Sequence, residues 1–300
     1  AGAFNVPKAL AGFDDGSSLH SLGSAAPALG WAGFKTWIHT KRGATAVYAL
    51  FDSRVGAVRA MIEAGALGQL RTAAMTGLGT RWQAPEGVDE MGLVGTGFQA
   101  TTQVAAVNAV RPLRRVRVWS PTAEKRRAFV EALRRRFGFE IVEADSLERA
   151  VADAPLVTVV TRAKDPFLPA RMLARGAHLN AVGAILPGNA EIHQDVFDRV
   201  GSIVVDDPVN VQKASREFID RFGGERGWGA VRAIGDVIRS GRPARPEGGD
   251  LSLFKSVGMG LSDLAVASMV HERAVERGLG RPIPAPQRAA PTWKGDLGAR

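Results

Sequence analysis

The 300-residue chain contains no cysteine. Disulfides, thiolate nucleophiles and cysteine-based zinc sites are therefore excluded, and the composition is compatible with a cytoplasmic location. Histidine is scarce. His20, His39, His178, His193 and His271 never fall at ligand-like spacing on one helix, so no metal site is read and each is taken as a core or surface residue. No stretch approaches the ~18 uninterrupted apolar residues of a membrane span, and no charged-then-apolar leader ends in a small-residue cleavage site. The chain opens AGAFNVPKAL without Met, which leaves room for an upstream piece. Anionic excess is also missing, since the formal net charge is +9. The charge is mostly Arg, with small clusters at Arg114-Arg115 and Arg134-Arg135-Arg136. No aromatics are interleaved with them to stack on bases, so nucleic acid is not the expected partner. The basic residues read as solvated faces that would also attract an anionic cofactor.

What is present has globular proportions, 45% hydrophobic and 23% charged residues, and a length that suits two domains. Segments 33–38 and 46–51 read as strands, followed by a turn at Asp52-Ser53. From Ala57 to Trp82 the spacing of Leu67, Leu70, Ala74 and Leu78 predicts a helix, and Pro85-Glu86-Gly87 breaks the chain. Residues 88–210 then alternate. Strands are expected at 91–94, 115–119, 140–143, 156–160, 178–182 and 203–205. Helices are expected at 100–110, 123–137 (with Thr122 able to cap it) and 146–152. That alternation argues for a doubly wound parallel sheet. Residues 211–250 read as helical and then loop-rich, 263–277 as a helix stopped by Gly278, and the Pro-rich tail from Arg281 as extended.

The segment Gly95-Thr96-Gly97-Phe98-Gln99-Ala100 is the feature with chemistry in it. It lies between an expected strand and an expected helix, the context a dinucleotide-binding loop requires. Gly95 permits the tight turn, Gly97 lets backbone approach a pyrophosphate at the helix N-terminus, and Ala100 lets helix and strand pack closely. The next strand ends Trp119-Ser120-Pro121-Thr122, with no carboxylate to hold ribose hydroxyls. An acid there would repel a 2′-phosphate, whereas Ser120 and Thr122 with Lys125 and Arg126 nearby would accept one. NADP(H) is the preferred cofactor on this reading, with NAD(H) as the alternative.

Several segments together resemble the ornithine cyclodeaminase/μ-crystallin family. They are Gly33-Phe34-Lys35, Leu70-Arg71-Thr72-Ala73-Ala74, the loop 95–100 with its Gln-containing helix, Asn180-Ala181-Val182-Gly183 before Pro187-Gly188, and Leu253-Phe254-Lys255-Ser256-Val257-Gly258-Met259. The resemblance runs from about residue 17 to 280. It implies an α/β Rossmann domain, residues 87–255, inserted in an α+β substrate and dimerisation domain made of 1–86 with 256–300, and a homodimer. It implies that Lys35 and Arg71, which from the residues alone read as surface cations, hold a substrate carboxylate. Thr72, Thr161, Asn180, Val182 and Gly183 would then line the cofactor, and Ser256, Val257 and Gly258 would flank the nicotinamide.

One departure matters. Cyclodeaminases resembling this chain carry an Asp two residues before Pro-Gly; here that position is Ile185, which can neither accept a proton nor pair with an ammonium. Ornithine cyclisation is thereby disfavoured. The expectation is NAD(P)H-dependent reduction of a small imino acid, such as Δ1-pyrroline-2-carboxylate, or the reverse oxidation. The alternative is a non-catalytic, crystallin-like NADP(H)-binding protein.

Overall fold

The computed structural model describes residues 2–225, 227–245, 248–287, 289–291 and 293. Its first layer is a five-stranded antiparallel sheet in sequential order. The strands are β1 (Phe4–Gly12), β2 (Ser18–Ala26), β3 (Trp31–Thr40), β4 (Gly43–Asp52) and β5 (Ala57–Glu63). The first two escape a periodicity search because they are built of Ser, Gly and Ala with few large apolar residues. The helix expected from Ala57 begins only at Ala64. Val58, Ala60 and Ile62 alternate with Arg59, Met61 and Glu63 and extend the sheet. Helix α1 (Ala64–Gln83) then starts where the Glu63 carboxylate accepts from the N–H groups of Gly65 and Ala66, at 2.5 and 3.1 Å.

The chain next builds an eight-stranded sheet whose neighbouring strands are all parallel. In order come β6 (Glu90–Val94), α2 (Ala100–Val110), β7 (Arg115–Trp119), α3 (Ala123–Arg134), β8 (Glu140–Glu143), α4 (Leu147–Val151), β9 (Leu156–Val159) and β10 (His178–Ala181). After these come α5 (Val196–Arg199), β11 (Val200–Val205), α6 (Pro208–Ala214), α7 (Arg216–Phe222), β12 (Val231–Ala233), α8 (Ile234–Ser240) and β13 (Leu251–Lys255). The spatial order is β12-β11-β13-β10-β9-β6-β7-β8. Strand order therefore reverses between β6 and β9, the crevice where doubly wound sheets bind ligands. Helix α3 stops at Arg134, short of the expected Phe137, and Thr122 precedes it without a side-chain capping bond. The loop expected at 242–249 and the tail expected beyond 281 fall partly outside the described residues.

Helix α9 (Gly260–Glu276) returns to the antiparallel sheet. Tyr48, Leu50, Leu67, Leu264 and Ala267, each no more than 3% exposed, form one core there. Both faces of the parallel sheet carry apolar cores of their own, as strands covered by helices on two sides require. Helix α1 packs against both sheets, touching β4 and also β10, β11 and β13. It thus carries residues from the first layer to the carboxyl ends of the second. Among the described residues no helix is long and apolar enough to cross a membrane.

Candidate active site

Lys35 lies on the inward face of β3, with Leu22 and Tyr48 as its cross-strand partners, and is 4% exposed. A buried ammonium needs a counter-charge, and the Asp263 carboxylate on α9 supplies it, with Lys35 Nζ donating to Asp263 Oδ1 at 2.7 Å. Arg71 on α1 meets the same oxygen, Nε to Oδ1 at 3.1 Å. Three elements remote in sequence thus converge, and the two cations expected to act together share one anion. Burial pushes the Lys35 ammonium down to about 8, helped by the positive charge of Arg71 and opposed by Asp263.

A third cation stands beside them. Lys8 on β1 is half-buried, and burial together with Arg71 pushes it down to about 8. Its Nζ lies 5.7 Å from the centre of the Trp37 ring, and Lys35 Nζ lies 4.9 Å from the same ring. His20 stacks on Trp37 at 4.6 Å with planes 3° apart. Burial, then Lys8, holds its imidazole down at about 4.

The turn after β13 completes this end of the site. The buried Asp206 carboxylate accepts from Ser256 Oγ at 2.7 Å, from the Val257 N–H at 3.0 Å and from the Gly258 N–H at 2.6 Å. Asn210 donates to the Gly258 carbonyl at 2.9 Å. Gly258 has φ +98°, and a Cβ there would stand 2.8 Å from Arg71 Nη1. The turn expected beside the nicotinamide is therefore held directly against the Arg71 guanidinium.

The glycine loop lies between β6 and α2. Gly95 donates to the Trp119 carbonyl at 2.8 Å and has φ +113°. A Cβ on Gly97 would meet nothing within 4 Å, so open space stands over the backbone that would approach a pyrophosphate. Among the described residues no backbone acceptor meets the N–H groups of Gly97, Phe98 or Gln99, which precede the α2 N-terminus as an anion-binding end requires. Phe98 is exposed, and its carbonyl accepts from Gln69 of α1. Thr96 Oγ1 bonds Ser120 Oγ at 3.1 Å. Gln99 Oε1 and both amide atoms of Gln103 are buried without a protein partner. These features fit a dinucleotide.

The other expected residues divide. Ser120 is buried beside the loop, while Thr122 is exposed. Arg126 spends its guanidinium on the Ser120 carbonyl at 2.6 Å and on Glu143 at 3.0 Å. Thr161 gives both its N–H and its hydroxyl to Glu191, at 2.6 and 2.9 Å. The same buried carboxylate takes the N–H groups of Gly183 and Ala184 at 2.8 and 3.1 Å. Glu191 therefore ties together the turns that follow β9 and β10, with Val182 buried between. Thr72 returns its hydroxyl to the Gly68 carbonyl at 2.8 Å. The Asn180 side chain does not reach a cleft: it is fully buried, with Nδ2 on Thr80 and Thr158 and Oδ1 on His178. A central strand covered on both faces leaves a polar side chain only internal partners.

Sequence reading missed Asp263, Lys8, His20, Trp37, Glu191 and Asp206. Asp263 carried a signal, an acid at the start of the last helix, shortly after Gly258. Lys8 and His20 carried none, because the strands that bring them in were not recognised.

The family model of the ornithine cyclodeaminase/mu-crystallin family matches residues 35–278. The chain belongs to that family. A Delta(1)-pyrroline-2-carboxylate reductase of Bacillus cereus is 28% identical over 81% of this chain and 75% of its own length. An archaeal alanine dehydrogenase dimer with bound NAD is 25% identical, with a TM-score of 0.86 over 94% of this chain and 89% of that one. The Delta(1)-pyrroline-2-carboxylate reductase of Thermococcus litoralis, solved with NADH and L-proline, shares the fold at 23% identity, with a TM-score of 0.88 over 94% of this chain and 90% of that one.

Proposed function

We propose that this chain is an NAD(P)H-dependent oxidoreductase that reduces the C=N bond of a small imino acid, or oxidises the corresponding amino acid. The observation that carries the reading is the convergence of Lys35 and Arg71 on one buried carboxylate, beside the Gly258 turn at the carboxyl end of the parallel sheet. The Arg71 fork and the Lys35 ammonium offer a substrate carboxylate a bidentate partner and a point charge. That grip fixes the imine carbon relative to the strip formed by 182–183 and 256–258. The cofactor, when bound, supplies the hydride. The imine nitrogen must gain a proton, and Lys35, held by Asp263, is the group placed to deliver it. Asp263 holds the Lys35 ammonium in place for that transfer. This counts against the non-catalytic alternative, and the reductase named in Bacillus cereus supports turnover.

NADP(H) remains the preferred cofactor on this reading. No carboxylate follows Ser120, and Lys125 and Arg127 are exposed beside it. Arg126, however, is already partnered by Glu143, which weakens its claim on a 2′-phosphate. A homodimer is part of the same reading, together with a cytoplasmic location suggested by the absence of cysteine. Leu19, Phe34, Ile38, Val47 and Met61 lie exposed on the antiparallel sheet, and Ile38, Val47 and Met61 line a groove of about 780 Å³, clustered apolar surface of the kind a second copy can cover. The test is loss of 340 nm absorbance from NADPH with Δ1-pyrroline-2-carboxylate, Δ1-piperideine-2-carboxylate or pyruvate plus ammonia. No loss with any imino acid, monocarboxylic or dicarboxylic, would overturn the reading.

A further inference from the structure

Two buried carboxylates hold the strip formed by 182–184 and 256–258, and among the described residues neither is paired with a cation. Glu191 accepts four hydrogen bonds, from the Thr161 N–H and hydroxyl and from the Gly183 and Ala184 N–H groups. Asp206 also accepts four, from Ser256 Oγ and from the N–H groups of Asp207, Val257 and Gly258. Burial pushes both carboxyls up, and the bonds aimed at them act the other way, because each favours the ionised form. Lys255 also favours the Glu191 anion, but its ammonium is spent on Glu217 at 2.9 Å. That pair is neutral, so the charges of Glu191 and Asp206 stay unmatched.

The turns they hold are neighbours. Val205 lies opposite Lys255, Lys255 opposite Ala181, and Ala181 opposite Val159. The turns leaving β11, β13, β10 and β9 therefore form one floor at the carboxyl edge of the sheet. The phosphate loop and the cation pair flank it. A Cβ on Gly95 would stand 2.6 Å from the Val160 carbonyl oxygen and 3.3 Å from Thr161 Cγ2, and Gly258 faces the Arg71 guanidinium. A buried anion without a counter-charge is costly. A nicotinamide ring is neutral when reduced and positive once its hydride has left, so over this floor it supplies the missing charge only in its oxidised form.

We propose that Glu191 and Asp206 are positioning residues that give this floor a fixed negative charge, which favours the oxidised coenzyme over the reduced one and so assists hydride departure. Both are buried, so they act through the turns and through their field rather than by touching the coenzyme.

The inference rests on the reductase reading for where the ring lies, but binding tests it separately. Fluorescence titration gives Kd for NADPH and calorimetry gives Kd for NADP+, and a purely structural role leaves their ratio alone. Glu191→Gln keeps the size and removes the charge, so Kd for NADP+ is expected to rise about ten-fold more than Kd for NADPH. Glu191→Asp keeps the charge and should hold the wild-type ratio whatever it costs in affinity. Thr161→Val removes one hydrogen bond and no charge, and should raise both constants alike. Asp206→Asn makes the same test from the other turn, and decides the matter if Glu191→Gln does not fold. Equal rises in both constants in the charge-removing variants would overturn the proposal and leave the two carboxylates as braces for the backbone, with the reductase reading intact. A ratio that moves as expected in a protein that reduces no imine would leave the charged floor standing and remove the reductase reading. A wild-type protein that binds neither NADPH nor NADH would remove both.

Discussion

Lys35 Nζ and Asp263 Oδ1 lie 2.7 Å apart, and the pair joins a strand near the start of the chain to the last helix. Both groups are within a few percent of complete burial, where removing one partner strands the other at a cost of ~3–5 kcal/mol. Asp263→Asn is therefore expected to lower both stability and activity. Lys35→Met, which removes the ammonium and keeps the bulk, is expected to lower kcat/KM by at least 100-fold with a smaller loss of stability. Thermal melts and steady-state kinetics on both variants check this. A Lys35→Met enzyme retaining a tenth of wild-type kcat/KM would remove the lysine from the chemistry.

The pH dependence follows from the same residues. Lys35 and Lys8 are each pushed down to about 8, by burial first and by Arg71 second. Lys35 must be charged to grip a carboxylate, so kcat/KM is expected to hold below pH 8 and fall as pH rises through it. Asp263 raises the Lys35 value against burial, so Asp263→Asn should move this falling limb to lower pH. A limb that stays in place in that variant would mean another group sets it.

Gly258 makes a sharper test of geometry. Its φ of +98° and the 2.8 Å between a built Cβ and Arg71 Nη1 mean that Gly258→Ala strains the backbone by ~1–3 kcal/mol and displaces the guanidinium. KM for the imino acid is expected to rise at least ten-fold. KM for the coenzyme should change less, because the phosphate loop is untouched. Equal effects on both would show that the turn serves the cofactor instead.

Cofactor choice is tested at Arg126. Its ties to Ser120 and Glu143 leave little of the guanidinium for a 2′-phosphate. Arg126→Ala is expected to lower kcat/KM by about five-fold with NADPH, and by less with NADH. A larger loss with NADH would reverse the preference assigned above.

Much of the parallel sheet was legible because strands such as Arg115–Trp119 and Leu156–Val159 are short runs rich in Val, whereas Val231–Ala233 and Leu251–Lys255 fell in a stretch read as helix and loop. The limits of α2, β7 and β8 agree with those read from the sequence. The antiparallel sheet was half legible. Segments 33–38 and 46–51 have alternating bulk, but Phe4–Gly12 and Ser18–Ala26 owe their strand form to pairing with neighbours, which local pattern cannot register. The site divided along the same line. Lys35 and Arg71 stand in segments with family character, while Lys8 and His20 enter only through register. Asp206 and Glu191 act on backbone N–H groups, and that role leaves no trace in residue spacing.

The two glycines of the phosphate loop separate folding from binding. Gly95 adopts φ +113°, and a Cβ on it would stand 2.6 Å from the Val160 carbonyl oxygen, a backbone atom that cannot step aside. Gly95→Ala is therefore expected to cost stability, ~1–3 kcal/mol from the dihedral alone, and to lower the melting temperature by several degrees. A Cβ on Gly97 meets nothing, and its φ is not in the left-handed range, so Gly97→Val should melt within a degree or two of wild type. If the open space above Gly97 is where a pyrophosphate lies, that variant must bind coenzyme poorly, with Kd for NADPH raised at least ten-fold by fluorescence titration. A Gly97→Val protein that binds NADPH as tightly as wild type would place the dinucleotide elsewhere, and with it the hydride that the Lys35–Arg71 pair is positioned to use.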